Sequence, residues 1–100
     1  MLKKEKIIEL IKGMNLPLNE FWITSGAALV MHGVKESTRD IDLGCTENLW
    51  KDFLEKGYKF RVAEDESSVM EINEQIEVIK EWYVDEIVYI DGLPVGSLES

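Results

Sequence analysis

Residues 21–44 read FWITSGAALVMHGVKESTRDIDLG, and their pattern sets the architecture expected for the whole chain. The first four residues, 21–24, form a short β-prone run that the following Ser-Gly pair (25–26) interrupts. Small and apolar residues over 27–32 then predict a short helix that packs closely and ends at the next glycine. The segment therefore begins with a strand, a tight turn and a helix.

An alternation of polar and apolar residues over 39–43 predicts a second strand at the end of this segment. Side chains two positions apart on a strand point to the same face, so we expect Asp40 and Asp42 to lie side by side. Such paired carboxylates suit Mg²⁺, which takes hard oxygen ligands and usually binds one or two carboxylates together with substrate phosphates and water. The sequence therefore predicts a divalent-cation site on this strand.

The rest of the chain adds one helix before this segment and a helix, a strand and two hairpins after it. The predicted elements are a helix over 2–12 closed by Gly13, a helix capped by Thr46 and ended at Gly57, a strand over 58–62, a hairpin of 69–72 and 75–79 about Asn73-Glu74, a hairpin of 87–90 and 93–95 about Asp91-Gly92, and the start of a helix at Ser97. We expect an α+β (α/β) fold, a small mixed β-sheet with flanking helices. One hundred residues fit a single domain, 1–100, with one core.

The net charge of −9 comes from 20 acidic and 11 basic residues, and it is concentrated beyond residue 50. An acid-rich surface repels phosphate backbones, so we do not expect broad binding to nucleic acid. No apolar run approaches the roughly 20 residues of a membrane helix, and the first residues do not form a secretory signal. We therefore expect a cytoplasmic protein with no membrane partner. Cys45 is the only cysteine, which excludes an intramolecular disulfide and a structural zinc site.

The turn at Ser25-Gly26 is the second feature that points to chemistry. Backbone amides at a glycine-containing helix start favour anions, so Gly26 and the Ser25 hydroxyl are candidates to hold the terminal phosphates of a nucleotide. Lys35 and Arg39 are the only basic residues between Lys12 and Lys51, and they flank the proposed site. Each is a candidate to neutralise triphosphate charge, or alternatively a surface cation that balances nearby acids.

The motifs SGAAL (25–29) and DIDL (40–43) together resemble the glycine turn and paired-acid signature of the DNA polymerase beta-like nucleotidyltransferase superfamily. The intervening HGVK (32–35) and TR (38–39) resemble the minimal bacterial branch of that superfamily, which includes toxin components of AbiE-type toxin–antitoxin systems. The resemblance spans roughly residues 20–99. It is specific over residues 24–44, and the remaining residues only support it.

The resemblance implies nucleotidyl transfer, in which an acceptor hydroxyl attacks the α-phosphate of a nucleoside triphosphate and pyrophosphate leaves. It implies that Asp40 and Asp42 hold two Mg²⁺ ions and that a third acid on a neighbouring strand completes the site. Glu77 is the candidate for this third acid, because it lies between apolar residues as the family's third position requires. Glu71 is the alternative, because an error of one strand in assigning the hairpin would exchange the two glutamates. The superfamily generally has a glycine where this chain has Ser25. Its members also continue into C-terminal helices, so we expect this minimal domain to have a cleft open on one side.

Three functions follow as hypotheses. The first is an Mg²⁺-dependent nucleotidyltransferase that moves NMP from an NTP to a hydroxyl of a protein or small molecule, with RNA a less favoured acceptor. The second is a regulatory module of the same fold that binds nucleotide, metal or protein without turnover. The third is a structural subunit whose acidic face docks a basic protein. A homodimer would cover the sheet face that the absent helices leave open.

Overall fold

The computed structural model describes residues 1–80 and 83–98, and this part of the chain holds three helices and a seven-stranded mixed sheet. The elements are α1 (Lys4–Met14), β1 (Phe21–Thr24), α2 (Ser25–Met31), β2 (Ile41–Cys45), α3 (Glu47–Glu55), β3 (Phe60–Val62), β4 (Ser68–Glu71), β5 (Ile76–Lys80), β6 (Ile87–Ile90) and β7 (Leu93–Gly96). The predicted α+β class is confirmed. None of the helices in these residues is long and apolar enough to span a membrane.

The strands are ordered β3-β4-β5-β2-β1-β7-β6, which places β2 at the centre of the sheet. Two pairs are parallel, β2 with β5 and β1 with β7, and the other pairs are antiparallel. The strand predicted to carry the acid pair is therefore the middle strand, and its side chains have neighbours on both sides.

The apolar core lies on one face of the sheet, the face against which α2 packs. Its strand residues alternate along the chain and include Phe21, Ile23, Ile41, Leu43, Cys45, Ile76 and Val78. Because successive strand residues point to opposite faces, the residues between them lie on the other face of the sheet. Asp42 and Glu77 are among these, and both are half-buried.

The first helix begins and ends later than its sequence pattern predicts. Leu2 is not helical but forms an antiparallel bridge with Thr38, with N···O distances of 2.7 and 2.9 Å. At the other end, Asn15 takes the left-handed conformation (φ 56°) and its N–H donates to the Lys12 carbonyl. The prediction that Gly13 closes the helix is therefore wrong, because asparagine tolerates the left-handed cap position that glycine otherwise fills.

The central strand begins two residues later than predicted. Thr38 pairs with Leu2 instead of with the sheet, and the regular ladder starts where the Ile41 N–H donates to the Gln75 carbonyl at 2.7 Å. The prediction that Asp40 lies on the strand is wrong for this reason. Asp40 precedes the strand directly, and its side chain is exposed.

The second half of the chain follows its predicted order. Thr46 caps α3, since its hydroxyl accepts a hydrogen bond from the Leu49 N–H at 3.3 Å. The turn between β6 and β7 has both central residues at positive φ, 52° for Asp91 and 80° for Gly92, as a two-residue hairpin turn requires. The helix predicted to start at Ser97 would extend into residues 99–100, which lie outside the described part of the chain.

Candidate metal and phosphate site

The register of the sheet sets Asp42 directly opposite Glu77. These residues are paired on the parallel strands β2 and β5, and Thr24 pairs with Asp42 on its other side. Glu71 lies one strand further out, opposite Glu77. Directly paired residues share a face, so three carboxylates and a threonine form a row across the sheet. Glu77 is thus the acid adjacent to the Asp42 strand, and Glu71 is not.

The Asp42 carboxyl is electrostatically crowded. Burial and the negative charges of Asp40 and Glu77 raise its pKa from the ordinary 3.8 to about 6. Within the described residues, neither Asp42 nor Asp40 has a hydrogen bond or an ion pair at its carboxylate that would offset this repulsion. The two aspartates therefore form a region of unbalanced negative charge that a cation would stabilise.

Asp40 is fixed through its backbone. The buried Thr38 hydroxyl donates to the Asp40 carbonyl at 3.2 Å, and Thr38 itself is held by its bridge to Leu2. This contact fixes the chain just before the strand and leaves the Asp40 side chain free to reach toward Asp42.

Glu77 differs from the two aspartates because it has a cationic partner. The Arg61 guanidinium on β3 donates to its carboxylate, with 3.0 Å between Nη2 and Oε2. Over residues 1–80 and 83–98, as the side chains stand, no three acidic, histidine or cysteine groups form a set that could hold one metal ion. The sheet thus gathers the predicted carboxylates into one region without closing them into a finished coordination shell.

The Ser25-Gly26 turn is tightly built. Ser25 has φ 55°, in the left-handed region that costs a residue with a side chain about 1 kcal/mol or more. A Cβ added at Gly26 would lie 2.8 Å from the Thr38 hydroxyl oxygen and 3.6 Å from the Lys35 ammonium nitrogen. Ser25 and Gly26 belong to the first turn of α2, whereas the sequence predicted that they precede the helix. The Lys35 distance is an ordinary contact, but any side chain at position 26 would force the buried Thr38 to shift.

Five of the predicted site residues line one open cavity of about 420 Å³. The cavity is bounded by Ser25, Gly26, Lys35, Thr38, Arg39, Asp40 and Met1. Lys35 and Arg39 bring two positive charges to its wall, and Asp40 brings one negative charge. The arrangement can bind an anion beside a cation, which is the pairing that a metal-bound phosphate group presents.

A second cavity, of about 340 Å³, lies on the other side of the turn. It shares Ser25 and Gly26 with the first and is lined mainly by apolar atoms, with Tyr83 and His32 among its polar residues. The His32 ring nitrogen Nε2 lies 2.8 Å from the Gly96 carbonyl oxygen, so the histidine ties α2 to the end of β7. His32 therefore has a structural partner.

Sequence reasoning missed Arg61 and the bridge of Leu2 to Thr38. The alternation over 58–62 places Arg61 on the polar face of a strand, which is a usable signal, but only the strand register brings it to Glu77. The bridge joins residues that are 36 positions apart, and no local sequence pattern predicts it.

Comparisons of the chain with protein-family models, with curated proteins and with solved structures found no match.

Proposed function

We propose that this chain is a divalent-cation-dependent nucleotidyltransferase-like protein that acts on a nucleoside triphosphate. One observation carries the proposal: burial, together with the negative charges of Asp40 and Glu77, raises the pKa of Asp42 to about 6. This crowding lies beside a cavity with two cationic side chains, Lys35 and Arg39. Aspartates brought together without a cationic partner are costly to a fold, and a site that binds a metal ion accounts for that cost.

The ligand set fits Mg²⁺ in its chemistry, since carboxylate oxygens are the donors that this hard cation takes. Asp40 and Asp42 would hold the ion, with Glu77 as the third acid. When bound there, Mg²⁺ would neutralise phosphate charge and favour departure of pyrophosphate.

The protein's own residues would supply binding and orientation. Lys35 and Arg39 would neutralise the triphosphate, and the Ser25 hydroxyl would donate to a phosphate oxygen. The acceptor oxygen forms a bond to the α-phosphorus while the bond from that phosphorus to the bridging oxygen breaks. Glu77 would take the proton that the acceptor hydroxyl releases.

The second candidate is a module of the same fold that binds nucleotide or metal without turnover. The openness of the cavity at Lys35 and Arg39 favours it, because an open site excludes water poorly and positions an acceptor poorly. For the enzyme, we propose a protein or a small molecule as the acceptor. For either function, we propose a cytoplasmic protein, which can act as a monomer or as a homodimer.

Label transfer separates the two candidates. The protein is incubated with Mg²⁺, cell lysate and each of the four nucleoside triphosphates labelled at the α-phosphate. The enzyme hypothesis predicts that label appears on an acceptor with the unaltered chain and with the control Glu64→Gln/Glu66→Gln. This control neutralises two exposed acids in the loop between β3 and β4. The enzyme hypothesis predicts no label with Asp40→Asn/Asp42→Asn. Saturable binding without label on any acceptor would favour the module.

A further inference from the structure

We propose that Arg61 is a positioning residue that competes with the divalent cation for Glu77, so that the free protein binds the cation through Asp40 and Asp42 alone. This inference rests on the proposed function, because it concerns the same site. It goes further by stating in which order the carboxylates become available and which side chain controls that order.

The contact is a product of the sheet register. Arg61 pairs with Val69 on β4, and Val69 pairs with Ile79 on β5, so Arg61 and Glu77 lie two strands apart. Both side chains point to the face away from the core, and the long arginine crosses β4 to reach the carboxylate. Because Arg61 stands on an edge strand, the guanidinium approaches from outside the site and can leave without disturbing the core.

Of the three site carboxylates, only that of Glu77 has a cationic partner among the described residues. Among the ion pairs of the described residues, the Arg61–Glu77 pair is the one that includes a site carboxylate. Asp40 and Asp42 lack such a partner, so a first cation gains most by binding between them. Glu77 joins only if the cation displaces the guanidinium.

The exposures of the two side chains show that displacement is feasible. Arg61 is 58% exposed and Glu77 29%. An ion pair with a partner this open is weak, because water screens it and both side chains lose freedom to form it. It is strong enough to orient Glu77 in the free protein and weak enough for a divalent ion to break.

The test is Mn²⁺ binding, measured by electron paramagnetic resonance of the free ion at neutral pH. Arg61→Gln removes the competitor and frees Glu77 as an additional carboxylate ligand, and we expect Mn²⁺ to bind on the order of tenfold more tightly for that reason. Lys59→Gln is the matched control, since it removes the same charge two residues earlier from an exposed position. We expect it to change the affinity less than about twofold, because distant exposed charges are screened.

A second background distinguishes competition for Glu77 from a general charge effect. In Glu77→Gln, the further change Arg61→Gln should produce no gain in Mn²⁺ affinity. A gain that persists in this background, or an equal gain from Lys59→Gln, would overturn the inference and leave the metal site standing. Absence of Mn²⁺ binding in every one of these proteins would instead remove the proposed function, and the inference with it.

Discussion

Asp42 and Glu77 lie side by side as a pair on the parallel strands β2 and β5, although they are distant in the sequence. Their side chains share the sheet face opposite the core, where Asp40 adds a third negative charge. The fold maintains this repulsion at its centre instead of at its edge. A charge arrangement of this kind makes predictions about stability that are independent of any reaction.

The first prediction concerns the dependence of stability on pH. The pKa of Asp42 is raised to about 6 in the folded protein from 3.8 in the unfolded chain, so the folded state binds more protons between these values. The contribution of Asp42 to stability should therefore fall as pH rises from about 4 to 6 and remain lowered above that. Asp42→Asn removes the penalty and should stabilise the metal-free protein at pH 8 by about 1–2 kcal/mol, after a discount for partial exposure. Urea unfolding in EDTA at pH 4 and pH 8 measures the difference.

Asp65→Asn is the control with the opposite sign. Hydrogen bonds from the Ser67 side chain and backbone lower the pKa of Asp65, so its ionised form supports the fold. The substitution should lower stability at pH 8 and have less effect at low pH. A gain from Asp42→Asn that is as large at pH 4 as at pH 8 would contradict the electrostatic explanation.

The second prediction concerns Gly26. An alanine there would bring its Cβ to 2.8 Å from the hydroxyl of Thr38, a stiff and buried side chain that also binds the Asp40 carbonyl. We expect Gly26→Ala to destabilise the protein by about 1–3 kcal/mol in thermal unfolding. Gly13→Ala is its matched control, because a Cβ at Gly13 meets nothing within 4 Å and the residue lies in a helix. That change should be neutral or stabilising by up to about 1 kcal/mol, and equal losses from both would show that the contact with Thr38 is not responsible.

The third prediction concerns the strained backbone at Ser25. Glycine adopts φ 55° without a steric penalty, so Ser25→Gly should stabilise the fold by about 0.5–1 kcal/mol, whereas Ser25→Ala keeps the strain and should not. Both variants lose the hydroxyl, and both should bind Mg²⁺-tripolyphosphate about fivefold more weakly if that hydroxyl donates to a phosphate. Calorimetry of binding together with thermal unfolding separates the two effects. Unchanged binding by both variants would remove Ser25 from the phosphate site.

Local pattern predicted most of the fold, because the chain marks its strands by alternation and its turns by residue type. Asp42 and Glu77 each lie between apolar neighbours, and Asp91-Gly92 supplies the positive φ angles that its hairpin needs. What the sequence did not predict is long-range. The bridge of Leu2 to Thr38 moves Asp40 off the strand, and the contact of Arg61 with Glu77 depends on the register of three strands at once.

A matched pair of double variants tests the electrostatic basis of the site. Asp40→Asn/Asp42→Asn removes the two carboxylates that lack a partner, and Glu64→Gln/Glu66→Gln removes two exposed loop acids with the same change in net charge. Mn²⁺ at about 100 times its dissociation constant should stabilise the unaltered chain by about 2.7 kcal/mol. It should stabilise the loop variant equally and the site variant not at all. Equal stabilisation of both variants would indicate nonspecific binding to an acidic surface.

The most direct measurement is isothermal titration calorimetry of ATP, GTP, CTP and UTP, each with Mg²⁺, into the unaltered chain and into Asp40→Asn/Asp42→Asn. A metal and phosphate site at Asp40 and Asp42 predicts saturable heat for at least one nucleotide with the unaltered chain and none with the double variant. Equal heats from the two proteins, or no heat from either, would contradict it.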